Sequence, residues 1–268
     1  MLRSPAEKSL ECTGPELHSH RMSAVARWSD RREELTEQWK SIFDQLPSHV
    51  QQVLGPDKNL LLFEEMLWEA GSTDVNVVRA LQEGFPLTGE FVMTGAFRNQ
   101  PYRECAETAI SVRKKAGIRN NDMMERIRKS PPLAPEVIES AESLCQDEVS
   151  QGKAKWISVV DALQKVLTPR FVIDQGFKLK KGVQIRSLRL IGDFTASMVN
   201  LTAALGEKCS HDYIDTLVGL IQLLSSNGGK VRLRKDDFVG AYKTLPLKTD
   251  ELDLAVAIIK VAGGKVRA

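Results

Sequence analysis

The chain has 268 residues, of which 42% are hydrophobic and 27% charged, a composition typical of a globular protein and unlike that of disordered or fibrous chains. Its formal net charge is only +2, so a nucleic-acid interface requires local clustering of cations. Apolar runs such as residues 59–63 are too short to span a bilayer, and the N-terminus lacks the apolar core of a secretory signal. We therefore expect an intracellular protein, cytoplasmic or nuclear, that does not contact a membrane.

The four cysteines do not form a metal-binding or disulfide pattern. Cys12, Cys105, Cys145 and Cys209 lie far apart in the chain, without a Cys-x-x-Cys pair and without histidines at zinc-ligand spacing. A structural zinc site or a disulfide framework is not expected, and the thiols are predicted to be reduced and mostly buried.

The first part of the chain is predicted to be helical. Residues 1–25 carry no hydrophobic period and are predicted to be a flexible tail. From about Ser29 apolar residues recur at helical spacing until Pro47 ends the run. The same signals predict a helical region over 26–165, with further helices at 59–70, 74–84, 104–115, 135–151 and 158–166. Residues 84–101 interrupt it with three glycines, two prolines and large apolar side chains, which predicts a loop that packs against the protein.

After Pro169 the pattern changes from helices to strands. Apolar and basic residues alternate in "RFVIDQGFKLKKGVQIRSLRLIGDF" (170–194), which predicts a pair of strands. Residues 176–191 contain five basic residues and no acidic one. Such a pair either has a solvated face or binds phosphates, and the pattern leaves both open. The candidate nucleic-acid-binding residues here are Lys178, Lys180 and Lys181. A helix is predicted over 211–225, with extended segments at 245–247 and 254–261.

The stretch "KVRLRKDDFVGAYKTLPLK" (230–248) contains two adjacent aspartates after a basic run. An Asp-Asp pair in this context is ordinarily a solvated turn or a helix N-cap. The alternative is that one carboxylate holds a catalytic metal. In a strand, Asp236 and Asp237 would face opposite sides, so only one of them can point into a cleft.

The order of these segments resembles the fingers-to-palm passage of a reverse transcriptase, most closely those of DIRS-type retrotransposons, which carry a tyrosine recombinase. The family's fingers motif reads approximately Arg-x-Ile-Asp-Asp-Phe-Ser-x-Ser-x-Val-Asn, followed by Glu-Lys. "RLIGDFTASMVNLTAALGEK" (189–208) departs from it at Gly192, which replaces the first aspartate. The matching residues are Arg189, Ile191, Asp193, Phe194, Ser197, Val199, Asn200, Glu207 and Lys208.

The next family motif reads approximately Phe-Asp-Leu-Lys-Ser-Ala-Tyr-Arg-Gln-Leu-Pro. Residues Ala241, Tyr242, Leu245 and Pro246 match it, and this alignment places Asp237 at the metal-binding aspartate. Residues 84–97 and 162–175 are similar to segments that precede the polymerase core in the same elements. The resemblance thus spans about residues 54–262 and is tightest over 185–247.

The resemblance implies an RNA-directed DNA polymerase that acts on a template and primer with two Mg²⁺ ions. Asp237 and the backbone carbonyl of Phe238 would hold metal, because hard Mg²⁺ prefers oxygen ligands. Tyr242 would lie under the sugar of the incoming dNTP, and Arg189, or else Arg186, would clamp its triphosphate. From the residues alone, Tyr242 also fits a packed core position, and either arginine fits a solvent-facing strand position.

The family's second catalytic element, an aromatic-x-Asp-Asp hairpin, does not follow Tyr242 in this sequence. One aspartate cannot hold two Mg²⁺ ions, so we expect this chain alone to be inactive: the N-terminal fragment of a retroelement polymerase. The alternatives are a non-catalytic remnant that binds nucleic acid or protein, and a helical interaction protein whose motif matches are accidental.

The predicted fold class is α+β. We expect a mainly helical N-terminal half, followed over 166–268 by an incomplete, truncated reverse-transcriptase fingers and palm with antiparallel strands. A truncated sheet would have an unpaired edge, which predicts poor solubility.

Overall fold

A computed structural model describes residues 14–74, 76–95, 97–101, 104–131, 134–180, 182–208, 214–226, 244–262 and 265–268, without the side chains of Lys180 and Lys208. The described part is a mixed α/β structure in which helices dominate up to Leu163 and the longest strands follow. This confirms the predicted mixture of a helical first half with later strands.

The helices of the described part differ from the predicted ones mainly at the N-terminus. They are α1 Gly14–Glu34, α2 Thr36–Phe43, α3 Ser48–Leu54, α4 Leu60–Glu69, α5 Val77–Glu83, α6 Ala109–Lys129, α7 Pro135–Ser150, α8 Val159–Leu163 and α9 Ile214–Ser226. The prediction of a tail without regular structure over 1–25 is wrong from Gly14 onward; residues 1–13 lie outside the described part.

The N-terminal part of helix α1, before residue 26, is not evident from the sequence, because the helix buries no residue and this part has no apolar period. It is held against α4 by ion pairs, with Arg27 Nη2 2.6 Å from Glu69 Oε1 and Arg31 Nη2 2.7 Å from Glu65 Oε1. Charged pairs of this kind leave no hydrophobic signature in the sequence.

Capping residues fix several helix starts. Asn59 accepts hydrogen bonds from the N–H groups of Leu61 and Leu62, each at 3.1 Å, so α4 begins where it was predicted. Pro135 occupies the first turn of α7, and the hydroxyl of Ser158 caps α8. Helix α6 is capped by Thr108 and begins at Ala109, later than the predicted start near residue 104, and it runs well past residue 115.

The strands of the described residues form one four-stranded sheet and two small two-stranded sheets. They are β1 Gly89–Phe91, β2 Arg98–Asn99, β3 Leu167–Lys180, β4 Val183–Gly192, β5 Ala203–Leu205, β6 Glu207–Lys208, β7 Val256–Lys260 and β8 Val266–Arg267. The larger sheet has the order β4-β3-β7-β8. Strands β3 and β4 form the predicted strand pair, which is antiparallel, whereas residues 167–169 of β3 run parallel to β7.

The loop over 84–101 packs against later parts of the chain, as predicted. Strand β1 lies parallel to β5, and β2 lies antiparallel to β6. Phe85 forms a bridge to Leu247, with its N–H 2.7 Å from the carbonyl oxygen of Pro246. The loop therefore links the helical first half to the segments that follow the β3–β4 hairpin.

Helices α6 and α7 cover opposite faces of the larger sheet. Ile258 of β7 packs with Met124 of α6, and the next residue, Ile259, packs with Ala141 and Cys145 of α7. Successive strand residues point to opposite faces, so β7 is buried on both sides. Helix α7 also covers the β3–β4 hairpin near its base, through Val172 and Leu190 of the same cluster.

Candidate nucleic-acid interface

The β3–β4 hairpin places the two candidate arginines on opposite faces. Residues that pair directly across an antiparallel ladder share a face. Arg186 pairs with Phe177, on the face that α7 covers at the hairpin base, whereas Arg189 pairs with Ile173 on the other face. We call this other side the open face; its residues include Phe171, Ile173, Lys178, Val183, Ile185, Ser187, Arg189 and Ile191. A single triphosphate can therefore contact Arg186 or Arg189, but not both.

The charge of Arg186 is neutralised by Asp174, which belongs to none of the sequence motifs. Its Nε donates to Oδ2 of Asp174 at 2.9 Å, and its Nη2 lies 2.7 Å from the same oxygen. The guanidinium of Arg186 and, to a smaller extent, the N–H of Gly176 lower the pKa of the Asp174 carboxyl. Asp174 in turn raises the pKa of Arg186. Both groups are charged at neutral pH, so Arg186 presents little net charge to a ligand.

Lys178 and Arg189 are the exposed cations of the open face. Within the residues that the structure describes, neither side chain has an ion-pair partner. Ile173 pairs with Arg189 across the ladder, and Phe171 lies two residues from Ile173 on the same face; they are 43% and 45% exposed. The open face thus combines positive charge with accessible aromatic and aliphatic surface.

The hairpin extends beyond the rest of the sheet. Strand β3 pairs with β7 only at residues 167–169, so from Arg170 onward its second edge has no partner strand in the described part. Large apolar side chains are exposed toward the tip, where Phe177 is 67%, Leu179 77% and Val183 61% accessible. The tip is therefore an apolar as well as a basic surface.

A largely buried ion pair fixes the base of the hairpin to α7. Arg170 donates from Nη1 and Nη2 to the two carboxylate oxygens of Glu148, both at 2.9 Å, and each side chain is 13% exposed. Burial alone would lower the pKa of Arg170, but the bonds to Glu148 outweigh it and the pKa is raised. This bidentate contact sets the orientation of the hairpin on the helix.

The turn after β4 holds Asp193 and Asn200 in structural contacts. Oδ1 of Asp193 accepts from the N–H groups of Thr195 and Ala196, each at 3.0 Å, and Nδ2 of Asn200 donates to Oγ1 of Thr195 at 3.0 Å. Arg119 of α6 donates to the carbonyl oxygen of Ala196 at 2.6 Å. These contacts shape the turn, and the hydrogen bonds that Asp193 accepts come from backbone N–H groups.

Glu207 also has a structural role that motif matching does not reveal. Its carboxylate accepts from the N–H and hydroxyl of Thr94, each at 2.8 Å, and from the N–H of Gly95 at 2.6 Å. The backbone N–H of Thr94 is the main cause of the lowered pKa of Glu207. Just before β1 in the chain, the N–H of Leu87 and the hydroxyl of Thr88 donate hydrogen bonds to the carboxylate of Glu251. Two carboxylates thus fasten the 84–101 loop.

The remaining predicted site residues fall outside this geometry. Asp237, Phe238, Tyr242 and Lys181 lie outside the described residues, and Lys180 is described only as the last residue of β3. Among the residues that are described, there is no group of three or more histidine, cysteine, aspartate or glutamate side chains that could hold a metal ion.

Comparison with protein-family models, with curated proteins and with solved structures gives no match for this chain. In the described ranges, no helix combines the length and the apolar character needed to cross a membrane.

Proposed function

We propose that this chain is the N-terminal part of a reverse-transcriptase-like polymerase and that the open face of its β3–β4 hairpin binds nucleic acid. The observation that carries the proposal is the pair of exposed cations, Lys178 and Arg189, on one face of an extended hairpin. The family assignment rests on the resemblance of residues 185–247 to the fingers and palm motifs.

The open face has the chemistry that a nucleic-acid backbone requires. Lysine and arginine neutralise phosphates and release counterions, which gives affinity without sequence preference. The guanidinium of Arg189 matches phosphate oxygens in two-point contacts. Phe171, exposed on the same face, offers a surface for a base or sugar. Arg186 contributes less, because Asp174 already holds its guanidinium.

Catalysis in this proposal depends on residues beyond the hairpin. Asp237 and the Phe238 carbonyl would hold Mg²⁺, and Tyr242 would contact the sugar of the dNTP. Two Mg²⁺ ions would neutralise the charge that develops in such a reaction, and holding both would require further carboxylates. An aromatic-x-Asp-Asp segment is the element that would supply them, so the chain alone binds nucleic acid but does not extend a primer.

The binding step is tested by fluorescence anisotropy of a labelled primer–template titrated with the full chain at several salt concentrations. Replacing both Lys178 and Arg189 by alanine removes two phosphate contacts. We expect the slope of log K against log salt concentration to become shallower by about 1.4–1.8, at roughly 0.7–0.9 per contact.

A matched control removes two exposed cations elsewhere. Lys114 and Arg126 of α6 are exposed and lie outside the hairpin, and among the described residues neither has an ion-pair partner, so their double alanine variant keeps the wild-type slope. If both double variants change the slope equally, binding is a general effect of charge, and the open face is not the interface.

Catalysis is tested on the chain extended by an aromatic-x-Asp-Asp segment. Mg²⁺-dependent primer extension that is lost in Asp237→Ala supports the polymerase. Salt-sensitive binding without extension favours the non-catalytic nucleic-acid-binding alternative. Absence of both leaves a protein-interaction role.

A further inference from the structure

The outer edge of β4 is an unpaired strand edge. Among the described strands, β4 pairs only with β3, so over Val183–Gly192 every second residue directs its N–H and C=O groups to an edge without a partner strand. Long exposed edges of this kind readily accept another strand, and soluble proteins usually block them with prolines, charged side chains or very short edge strands. Strand β4 contains no proline and runs for 10 residues. Its charged side chains, Arg186 and Arg189, are both basic, so they oppose the addition of a basic strand but not of an acidic one.

Apolar side chains surround this edge on both faces of the hairpin. Val183 is exposed on the open face, and Phe177 and Leu179 are exposed on the face of Arg186. A two-stranded hairpin that projects from its sheet is marginally stable in water and gains from a third strand. Phosphates on the open face would neutralise cations, but they would neither cover these side chains nor complete the hydrogen-bond ladder.

The charge of the hairpin selects the kind of strand that fits. Residues 176–191 contain no acidic side chain, and Asp174 compensates only Arg186. A second copy of β4 would place Arg186 and Arg189 near their own counterparts, and like charges opposite each other in a sheet are destabilising. The complementary occupant is therefore acidic.

We propose that the outer edge of β4 binds an extended segment of a partner protein in which acidic and apolar residues alternate. The segment adds to the sheet as a further strand, so that main-chain hydrogen bonds give affinity. Because strand side chains alternate, its acidic residues lie on the open face near Arg189 and its apolar residues lie on the other face beside Leu188. This inference does not depend on the polymerase proposal, although both ligands use Arg189.

The test measures binding of a fluorescein-labelled peptide of alternating valine and glutamate to the full chain by anisotropy. The control peptide has the same composition, with its valines and glutamates in separate blocks. We expect the block peptide to bind at least about tenfold more weakly, because it cannot present one charged face as a strand.

Two proline variants test whether the edge itself is used. Ser187 and Leu188 are adjacent, so one of them directs its N–H to the free edge and the other toward β3. Proline is tolerated at the edge-directed position and disrupts the hairpin at the other. The variant that retains the wild-type melting temperature should bind the alternating peptide about tenfold more weakly than the wild type does.

A charge exchange keeps the test independent of proline tolerance. Arg189→Glu should weaken binding of the valine–glutamate peptide and strengthen binding of the corresponding valine–lysine peptide. Equal binding of alternating and block peptides, no effect of the tolerated proline, or binding of oligonucleotides but of no peptide would each overturn the inference. Self-association through β4, detected by sedimentation and abolished by the tolerated proline, would assign the edge to a second copy and would likewise overturn it.

Discussion

The largely buried pair of Arg170 and Glu148 provides the sharpest test of how the hairpin is anchored. The variant Arg170→Met keeps the apolar stem of the side chain but removes the guanidinium from a carboxylate that is only 13% exposed. Breaking a buried pair by removing one partner costs about 3–5 kcal/mol of unfolding free energy. At roughly 2–4 °C per kcal/mol for a chain of this size class, the melting temperature should fall by roughly 6–20 °C.

The assay is a double-mutant cycle followed by urea unfolding, with circular dichroism as the signal. Arg170→Met and Glu148→Met should each lower the unfolding free energy by several kcal/mol. The double variant should recover most of that loss, because two apolar side chains can replace a buried ion pair without leaving an unpaired charge. Removing either partner should also release the hairpin from α7, so amide exchange in β3 and β4 should accelerate in the single variants.

A surface pair supplies the control. Arg79 and Glu83 form an i,i+4 ion pair whose arginine is 74% exposed, so Arg79→Ala should change the unfolding free energy by less than about 0.5 kcal/mol. If Arg170→Met lowers the unfolding free energy by no more than this control, the Arg170–Glu148 pair is screened by solvent. The pair would then not be what anchors the hairpin.

Two further predictions concern the 84–101 loop. In Gly84→Ala the new Cβ would lie 2.3 Å from the carbonyl carbon of Leu247, at a φ of +94°, so we expect a loss of about 2–5 kcal/mol in urea unfolding. Gly117→Ala, at an open helical position, should instead stabilise by about 0.5–1 kcal/mol, and equal effects of the two would contradict this account. Because the folded-state pKa of Glu207 is lowered, its stabilisation is present above the ordinary glutamate pKa and is lost as the pH falls through the lowered value. Melting temperatures should therefore fall less on acidification in Glu207→Gln than in wild type, and parallel pH profiles would show that the Thr94 contacts contribute nothing.

The sequence predicted those elements whose signals are local. Asn59 as a cap, Pro135 in a first turn and the alternation after Arg170 each specify structure within a few residues, and the corresponding helices and hairpin are confirmed. The early start of α1 at Gly14 and the late start of α6 at Ala109 could not be predicted, because ion pairs and turn geometry leave no hydrophobic period.

Contacts between distant segments could not be predicted in the same way. Glu251 binds the N–H of Leu87, and Glu207 binds those around Thr94, across more than a hundred residues of sequence. A glutamate that accepts backbone hydrogen bonds has no distinguishing neighbours in the chain. Glu207 appears at the sequence level only as a motif match, and its contacts give that position a structural explanation that is independent of polymerase chemistry.

The choice between Arg186 and Arg189 shows which part of the site was predictable. The two positions differ by three, so strand alternation alone places them on opposite faces. Which of them is neutralised depends on a β-bulge. Near the turn Lys178 pairs with Ile185, and continuing that register would place Asp174 opposite Arg189.

The register instead shifts between Asp174 and Phe177, where Gly176 has a φ of +80°. Asp174 consequently pairs with Leu188, moves to the face of Arg186 and binds that arginine. A shift of one residue exchanges the faces of a strand. The extra residue in β3 therefore leaves Arg189, the arginine favoured by the family motif, as the one that is free of Asp174 and lies on the same open face as Lys178.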